Sequence, residues 1–289
     1  MSNKANVTFF DDISKTRLAS NGVILDGRSI ADDLYKELAQ ERKRIARNVK
    51  LGIVVVGENP VVESFVRIKE RAAACLDVDM IRLNLSTDVA QEAIIGAVQD
   101  ISQRTDGVIV QLPLPKGIDT DAVLASIVPE KDVDALNPTI SESKRLVHAP
   151  VALAVLELLR RGGVSLKGKR TVVVGTGRLV GAPSAWLLKN LGADISIFSL
   201  EKGSIEDLKD ADIVVLGAGN PGFIKPEHLK EGVALIDAGT SELNKKITGD
   251  ADPRCAEVAS VFTPVPGGVG PVAVAMIFRN LLALLEKRG

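Results

Sequence analysis

A glycine-rich turn between an apolar strand and a helical pattern carries the strongest chemical signal in the sequence. The segment GTGRLVG at 175–181 follows the apolar run TVVV at 171–174. Its glycines permit a tight turn and a close backbone approach to a pyrophosphate, and the following helix N-terminus presents unpaired N–H groups to the anion. The spacing GxGxxxG is one residue longer than the commonest fingerprint, but the loops GAGNPG at 217–222 and DAGT at 237–240 also follow strand patterns. This context predicts a dinucleotide site rather than an ordinary turn.

The residues around this turn leave the choice between NADP and NAD open. Glu201 lies 20 residues after Gly181, near the position where an acid binds the ribose hydroxyl of NAD. Arg178, Ser199 and Lys202 are suited instead to hold the 2′-phosphate of NADP. We predict NADP as the cofactor, with NAD as the alternative.

Three polar residues in the first half of the chain have types suited to proton transfer and binding. Lys69 lies in a helical pattern four residues after Phe65, so the two side chains share one face. Gln111 ends an apolar strand, and Asp134 lies in the polar run EKDVD at 130–134. Taken singly, each has an ordinary explanation, namely a solvated lysine, a strand-edge amide and a loop carboxylate.

The elements that must position these residues alternate between strands and helices. Strand patterns occupy 51–57, 80–85, 171–175, 194–199, 212–219, 233–239 and 260–265, and the stretch 106–115 is a strand that runs into a proline-stiffened loop. Helical patterns occupy 29–47, 61–75, 89–103, 121–127, 150–161, 181–191 and 272–287. Buried apolar strands that alternate with helices predict an α/β fold with parallel sheets, and a boundary near 147–150 divides it into two domains.

Composition narrows the class of protein. The formal net charge is -1, which provides no broad basic field for nucleic acid or anionic lipid. Two cysteines and two histidines without a CxxC motif predict a reduced protein with no metal site. The N-terminus lacks a basic start followed by an apolar run, and no stretch approaches about 20 uninterrupted apolar residues. We therefore expect a cytoplasmic protein with no nucleic-acid and no membrane partner.

Several longer motifs occur in one order along the chain. They are GENP at 57–60, VQLPLP at 110–115, KDVDALNP at 131–138, VGAP at 180–183, ADIVVLGAGNPGFI at 211–224, EGVALIDAG at 231–239 and TPVPGGVGP at 263–271. From about Val23 to the last helix, the sequence resembles the methylenetetrahydrofolate dehydrogenase/methenyltetrahydrofolate cyclohydrolase family, the bifunctional FolD type. PVPGGVGP and VQLPLP are the most specific of these motifs.

The resemblance implies an N-terminal α/β catalytic domain and a Rossmann-like dinucleotide-binding domain that form a cleft. On this basis 1–149 is the folate-binding catalytic domain with a tail at 1–20, and 150–271 is the Rossmann-like domain. The helix at 272–289 is expected to return to the catalytic domain. A homodimer is also implied by the family.

The resemblance also implies two reactions and the residues that carry them. 5,10-Methylenetetrahydrofolate is oxidised with NAD(P)+ to the methenyl form, which water converts to 10-formyltetrahydrofolate. Lys69 would carry the proton, Gln111 would orient Lys69, and Asp134 would bind the pterin. The expected further substrate-binding residues are Phe65, Pro266, Gly267, Gly268 and Val269. The expected cofactor-binding residues are Gly175, Thr176, Gly177, Arg178, Ser199 and Thr240.

The sequence departs from the family pattern in and around the expected site. Phe65 stands where the family usually has tyrosine, and Thr176 stands where an arginine is common. His148-Ala149-Pro150 and Val272-Ala273 also differ from the usual runs. Three alternatives to the bifunctional enzyme therefore stay open: a dehydrogenase with weak cyclohydrolase activity, a silent folate- or nucleotide-binding protein, and an unrelated dehydrogenase of the shikimate type.

Overall fold

The computed structural model describes residues 22–199, 203–243 and 246–288. Within them the chain divides into two compact units. Of these residues, the first unit comprises 35–154 and 273–288, and the second unit comprises 22–34 and those between 155 and 272.

Strands and helices alternate through most of the described chain. The strands are β1 (Val23–Ile24), β2 (Val49–Val56), β3 (Val78–Leu85), β4 (Gly107–Val110), β5 (Arg170–Val174), β6 (Asp194–Phe198), β7 (Ile213–Leu216), β8 (Val233–Asp237), β9 (Ser241–Leu243), β10 (Lys246–Thr248) and β11 (Ala259–Phe262). The α-helices are α1 (Gly27–Lys43), α2 (Pro60–Cys75), α3 (Gln91–Arg104), α4 (Thr120–Ala125), α5 (Pro150–Arg161), α6 (Gly181–Asn190) and α7 (Val269–Glu286). The predicted α/β fold is confirmed.

The first unit contains a three-stranded parallel sheet in the order β3-β2-β4. The central strand β2 is buried along almost its whole length, as its run of valine, isoleucine and leucine predicts. Helix α3 packs on this sheet through Ile94, Val98 and Ile101, which are all fully buried. The strand predicted to begin the stretch 106–115 and run into a proline-stiffened loop is β4, which ends at Val110, before the prolines that cannot donate ladder hydrogen bonds.

The second unit contains a six-stranded sheet in the order β1-β11-β8-β7-β5-β6, and every pairing in it is parallel. Strand order reverses at β5, which has β6 on one side and β7 on the other. In open α/β sheets, ligands bind outside the carboxyl ends of the strands at such a reversal. The glycine-rich turn follows β5 and therefore lies at this reversal.

Strand β1 corrects the predicted division of the chain. The prediction assigned 1–149 to one domain, but Val23 and Ile24 pair with Val261 and Phe262 of β11. These two residues extend the sheet of the second unit, and contacts place residues 22–34 there as well. A two-residue strand is too short to show a periodicity, and its partner lies more than two hundred positions away, so no local pattern reveals the pairing.

The hairpin formed by β9 and β10 was also not predicted. Its antiparallel strands pair Ser241 with Thr248 and Glu242 with Ile247. Each strand has only three residues. They are too short and too polar for the alternation that identifies a half-buried strand.

Helix α7 is the most apolar helix of the chain. Its 18 residues are enough and apolar enough to cross a membrane, but 67% of the helix is buried inside the structure. Contacts place its residues from Ala273 onward in the first unit. There the buried Asn280 donates from Nδ2 to the carbonyl oxygens of Val133 and His148, each at 2.8 Å. The burial and these hydrogen bonds are those of a core helix.

Candidate active site

Lys69 is positioned by helix α2, whose start is fixed by a side-chain cap. Asn59 Oδ1 accepts hydrogen bonds from the backbone N–H groups of Val61 at 2.9 Å and Val62 at 3.3 Å. Pro60 occupies the first turn, where its missing N–H costs nothing. Val62, Val66 and Ala73 bury one face of the helix, whereas Phe65 and Lys69, one turn apart, are half-buried.

Gln111 orients the ammonium group of Lys69. It directly follows β4, its backbone N–H donates to Val54 O at 2.9 Å, and its side chain is buried. Gln111 Nε2 donates to Leu112 O at 2.8 Å, and Oε1 accepts from Lys69 Nζ at 2.6 Å. Because Nε2 is held by a carbonyl, the amide presents its oxygen to the lysine. The predicted contact between Lys69 and Gln111 is therefore present.

Asp134 lies in a loop that several hydrogen bonds hold against β4. Asp132 forms a bridge with Val108 of β4, and its Oδ2 accepts from Asn137 N at 2.7 Å. Asn137 Nδ2 donates in turn to Ile127 O at 2.7 Å. These bonds place Asp134 near Lys69, where the two charges interact.

Burial shifts the ionisation of both charged residues toward neutrality. Burial lowers the pKa of Lys69, and the charge of Asp134 opposes this shift. Burial raises the pKa of Asp134 to about 6, with Lys69 opposing the shift and Asp132 adding to it. A lysine with a lowered pKa can exchange a proton near neutral pH, and perturbed groups of this kind cluster at functional sites.

The glycine-rich turn of the second unit fits a dinucleotide pyrophosphate. Gly175 has φ +98°, and a Cβ there would overlap the backbone of Gly217. A Cβ at Gly181 would overlap the carbonyl group of Gly175, so only glycine lets α6 begin this close to β5. Gly177 has nothing within 4 Å of a Cβ position, which leaves the turn open on that side. The turn thus combines close packing, an open face and a helix N-terminus.

The other predicted cofactor residues follow strands of the same sheet. Thr176 and Arg178 are exposed in the turn after β5, Ser199 is half-buried after β6, and Thr240 is exposed after β8. Because the strands are parallel, these positions share the carboxyl-end edge of the sheet. Glu201 and Lys202, which bear on the choice between NAD and NADP, lie outside the described residues.

The predicted substrate loop from Pro266 to Val269 packs tightly in the second unit. A Cβ at Gly268 would meet Pro264 O at 2.6 Å. A Cβ at Gly27, the first residue of α1, would overlap the carbonyl group of Gly268. Glycine at 27 therefore allows the loop to contact the start of α1 directly, and glycine at 268 allows the loop to fold closely on itself.

Two buried carboxylates were not predicted from the sequence. Asp250 accepts three backbone hydrogen bonds from the loop after β7, and Asp237 ends β8. In the sequence, the local feature that marks them as buried is a nearby glycine, Gly249 for Asp250 and Gly239 for Asp237, and this is a weak indication. Among the described residues there is no group of three or more His, Cys, Asp or Glu that could hold a metal ion.

Comparisons with known proteins agree with this geometry. The catalytic-domain profile of tetrahydrofolate dehydrogenase/cyclohydrolase matches residues 25–134, and the profile of its NAD(P)-binding domain matches residues 149–289. The chain belongs to the tetrahydrofolate dehydrogenase/cyclohydrolase family. It is 36% identical over 282 residues to the bifunctional protein FolD of Halothermothrix orenii, covering 93% of this chain and 99% of that protein.

Solved structures of family members are also similar. The Trypanosoma brucei methylenetetrahydrofolate dehydrogenase-cyclohydrolase, complexed with NADP and an inhibitor, has a TM-score of 0.85 and 34% identity. That similarity covers 92% of this chain and 98% of the trypanosomal one. The bifunctional FolD enzyme of Campylobacter jejuni has a TM-score of 0.87 and 29% identity, covering 92% and 99% of the two chains. Family membership disfavours the unrelated shikimate-type dehydrogenase.

Proposed function

We propose that this protein oxidises 5,10-methylenetetrahydrofolate with NADP+ and hydrolyses the resulting methenyl compound to 10-formyltetrahydrofolate. The observation that carries the proposal is the hydrogen bond of 2.6 Å between Lys69 Nζ and Gln111 Oε1, beside the charge of Asp134. Family membership and the glycine-rich turn after β5 support it.

NADP+, when bound, supplies the hydride acceptor, and the protein has to bind and orient the two reactants. Gly175 and Gly177 would hold the pyrophosphate, with Arg178 and Ser199 at the 2′-phosphate. Thr176 and Thr240 complete the proposed set of cofactor contacts.

Hydrolysis needs a proton carrier. Water adds to the methenyl carbon and loses one proton, which leaves a hydroxyl group on that carbon. The bond from the carbon to N5 then breaks as N5 gains a proton and the hydroxyl group loses its own, which forms the formyl carbonyl and releases one proton overall. Lys69 is suited to both transfers, because burial lowers its pKa and increases its neutral fraction. Gln111 accepts from Nζ and so fixes the direction of the ammonium group.

Asp134 is the proposed anchor of the pterin. An ionised carboxylate accepts hydrogen bonds from the amino and ring N–H groups of the pterin more strongly than a neutral group does. The loop hydrogen bonds of Asp132 and Asn137 hold Asp134 in place for this contact. Phe65, one turn before Lys69, would stack on the aminobenzoyl ring. The substrate role of Pro266, Gly267, Gly268 and Val269 stays a prediction.

The test is an assay of both steps with purified protein and its Lys69→Met variant. The first assay supplies 5,10-methylenetetrahydrofolate with NADP+ or NAD+, and the second supplies the methenyl compound. We expect both activities in the wild type and loss of hydrolysis in the variant. Lys189→Met, an exposed lysine on α6, is the matched control and should keep both activities.

Two outcomes contradict the proposal. Hydrolysis at the wild-type rate in Lys69→Met would remove Lys69 from the mechanism. Folate binding without any turnover in the wild type would favour the silent binding protein.

A second candidate function is a dehydrogenase with weak cyclohydrolase activity. Phe65 favours it, because no hydroxyl group is available one turn from Lys69 on the half-buried face of α2. Hydride transfer requires no proton carrier, so the missing hydroxyl would affect hydrolysis most. The ratio of the two activities in the wild type distinguishes this candidate from the balanced enzyme.

Cofactor preference is proposed as NADP, since the trypanosomal relative was solved with NADP and Arg178 is suited to a 2′-phosphate. The comparison of kcat/KM for NADP+ and NAD+ tests it. Arg178→Ala should lower kcat/KM for NADP+ and leave that for NAD+ little changed. A wild-type preference for NAD+ would contradict this assignment.

A cytoplasmic homodimer is the proposed state of the protein. The low cysteine content supports a reducing compartment. Strand β6 is an edge strand of its sheet, and its apolar residue Ile197 is 41% exposed to solvent. An edge strand with an exposed apolar side chain is suited to pairing with a second copy of the chain. Light scattering after size exclusion should give twice the chain mass, and Ile197→Lys should reduce it. A monomer at micromolar concentration would contradict the dimer.

A further inference from the structure

We propose that Asp250 is a positioning residue for dinucleotide binding, because its carboxylate shapes the loop GAGNPG at 217–222. This inference rests on the proposed function, since it assumes that the glycine-rich edge of the six-stranded sheet binds the dinucleotide. Asp250 was not among the residues predicted to contact the cofactor.

Three successive backbone amides of one loop converge on Asp250. Its Oδ2 accepts from Ala218 N at 2.7 Å and Gly219 N at 3.1 Å, and its Oδ1 accepts from Asn220 N at 2.7 Å. Asp250 is fully buried. A buried carboxylate needs such donors, and hydrogen bonds to an ionised acceptor are stronger than neutral ones. The loop and the carboxylate therefore hold each other in one arrangement.

The loop held by Asp250 lies against the proposed pyrophosphate turn. It follows β7, the neighbour of β5 at the reversal of strand order. Gly217 and Ala218 approach Gly175 so closely that a Cβ on Gly175 would lie 2.5 Å from Gly217 O and 3.1 Å from Ala218 N. A shift of the loop would therefore change the shape of the turn after β5.

A second carboxylate anchors Asp250 itself. Asp237 Oδ1 accepts from Asp250 N at 3.2 Å, and Asp237 Oδ2 accepts from Ala251 N at 2.8 Å. The backbone N–H of Asp237 donates to Thr263 Oγ1 at 2.7 Å. The position of Asp250 is thus tied to the end of β8 and, through Thr263, to the residue after β11.

Close packing leaves this arrangement little freedom to adjust. A Cβ at Gly239 would overlap the carboxylate of Asp250, and a Cβ at Gly249 would overlap that of Asp237. A loop that lost its bonds to Asp250 could not regain them by moving the carboxylate. Loss of these hydrogen bonds should therefore weaken dinucleotide binding, because the loop lies next to the proposed dinucleotide site.

The experiment compares Asp250→Asn with the control Asp252→Asn. Asparagine keeps the size of the side chain but has one acceptor oxygen, so it cannot accept from all three amides. Asp252 caps the short helix at 253–257 through Arg254 N and contacts no residue of the loop 217–222 in the hydrogen bonds described. Each variant is assayed for NADP+-dependent oxidation, for hydrolysis of the methenyl compound, and for direct NADPH binding by fluorescence.

We expect Asp250→Asn to raise the KM for NADP+ and the Kd for NADPH about tenfold, the effect of one lost charge-assisted bond. kcat at saturating NADP+ should change by less than about twofold, as for a loss of uniform binding. Hydrolysis is redox-neutral and needs no dinucleotide, so it should stay at the wild-type rate. Asp252→Asn should match the wild type in all three assays.

Unchanged KM and Kd for the dinucleotide in folded Asp250→Asn would overturn the inference, and so would equal losses of oxidation and hydrolysis. Absence of both activities in the wild type would instead refute the proposed function, while NADPH binding would still test the role of Asp250.

If Asp250→Asn fails to fold, the variant Gly219→Ala tests the inference in its place. A methyl group fits at Gly219, because the nearest atom to a Cβ there, Ser241 Oγ, is 3.9 Å away. Alanine is nevertheless strained at the φ of +69° that Gly219 adopts, so the substitution should shift the same loop. Weaker NADPH binding supports the inference, and unchanged binding overturns it.

Discussion

Asp134, the proposed anchor of the pterin, has a pKa close to neutral pH. Burial raises its pKa to about 6, although the charge of Lys69 opposes the shift. Above that pH the carboxylate is charged and, in the proposed role, would accept hydrogen bonds from a pterin. Below it the group gains a proton, becomes a donor and loses much of its acceptor strength.

Folate affinity should therefore weaken as the pH falls through about 6. Each further unit below the pKa reduces the ionised fraction of Asp134 about tenfold, so the Kd for the folate should rise by up to that factor. Fluorescence titration from pH 5 to 8 measures the change. Asp134→Asn should bind more weakly at all pH values and without this dependence. An unaltered pH dependence in the variant would assign it to another group.

Phe65 is a site residue at which the sequence departs from the tyrosine expected from the family resemblance. Phe65→Tyr places a hydroxyl group one turn from Lys69 on the same face of α2. One added hydrogen bond of about 1 kcal/mol corresponds to roughly a fivefold gain, and we expect it in kcat/KM for hydrolysis. The kcat/KM for oxidation should change less than that for hydrolysis. Phe223→Tyr, which adds the same hydroxyl group in the other unit, is the control and should not raise hydrolysis. A slower hydrolysis in Phe65→Tyr would show that this site has adapted to phenylalanine.

At the scale of elements, the junction of β5 and α6 depends on two glycines with different roles. A Cβ at Gly181 would overlap the carbonyl group of Gly175, whereas a Cβ at Gly177 would meet nothing within 4 Å. Gly181 thus serves the packing of the helix against the strand, and Gly177 leaves an open face.

Gly181→Ala should therefore destabilise the protein much more than Gly177→Ala. Overpacking against backbone costs about 1–3 kcal/mol in the free energy of unfolding, whereas an unobstructed surface change stays within about 0.5 kcal/mol. Urea denaturation measures both variants. Equal stability of the two would mean that α6 moves away from β5 at little cost.

At the scale of the whole molecule, the buried Asp237 links stability to pH. Burial raises its pKa to about 7; three backbone N–H groups oppose the shift, and the charge of Asp250 adds to it. The unfolded chain has the ordinary value of 3.8, so the folded protein binds this proton more tightly. The stabilisation is complete below pH 3.8 and is lost as the pH rises through about 7.

Asp237→Asn should remove this contribution. The free energy of unfolding, measured in urea at pH 4.5, 6 and 7.5, should fall less steeply with pH in the variant than in the wild type. Asp134 contributes a slope of the same sign up to about pH 6 in both proteins, so the difference between the two isolates Asp237. Parallel curves would show that Asp237 ionises alike in the folded and unfolded chains.

Local patterns in the sequence determined much of the architecture. Apolar runs such as 51–56 and 171–174 identified β2 and β5, because a strand buried on both faces must be apolar at every position. Gly175 and Gly181 identified the turn, since only glycine permits that conformation and approach. Family motifs selected Lys69, Gln111 and Asp134, whose types alone had ordinary explanations.

Only the tertiary structure decided which distant residues meet. Lys69 contacts Gln111 across 42 positions, and Asp250 reaches the loop at 218–220 across about 30. Strand β1 joins β11 from the other end of the chain. Such pairings depend on how the sheets assemble, and no periodicity or turn residue encodes them. The lowered pKa of Lys69 and the raised pKa values of Asp134 and Asp237 have the same origin, because burial is a property of the folded chain.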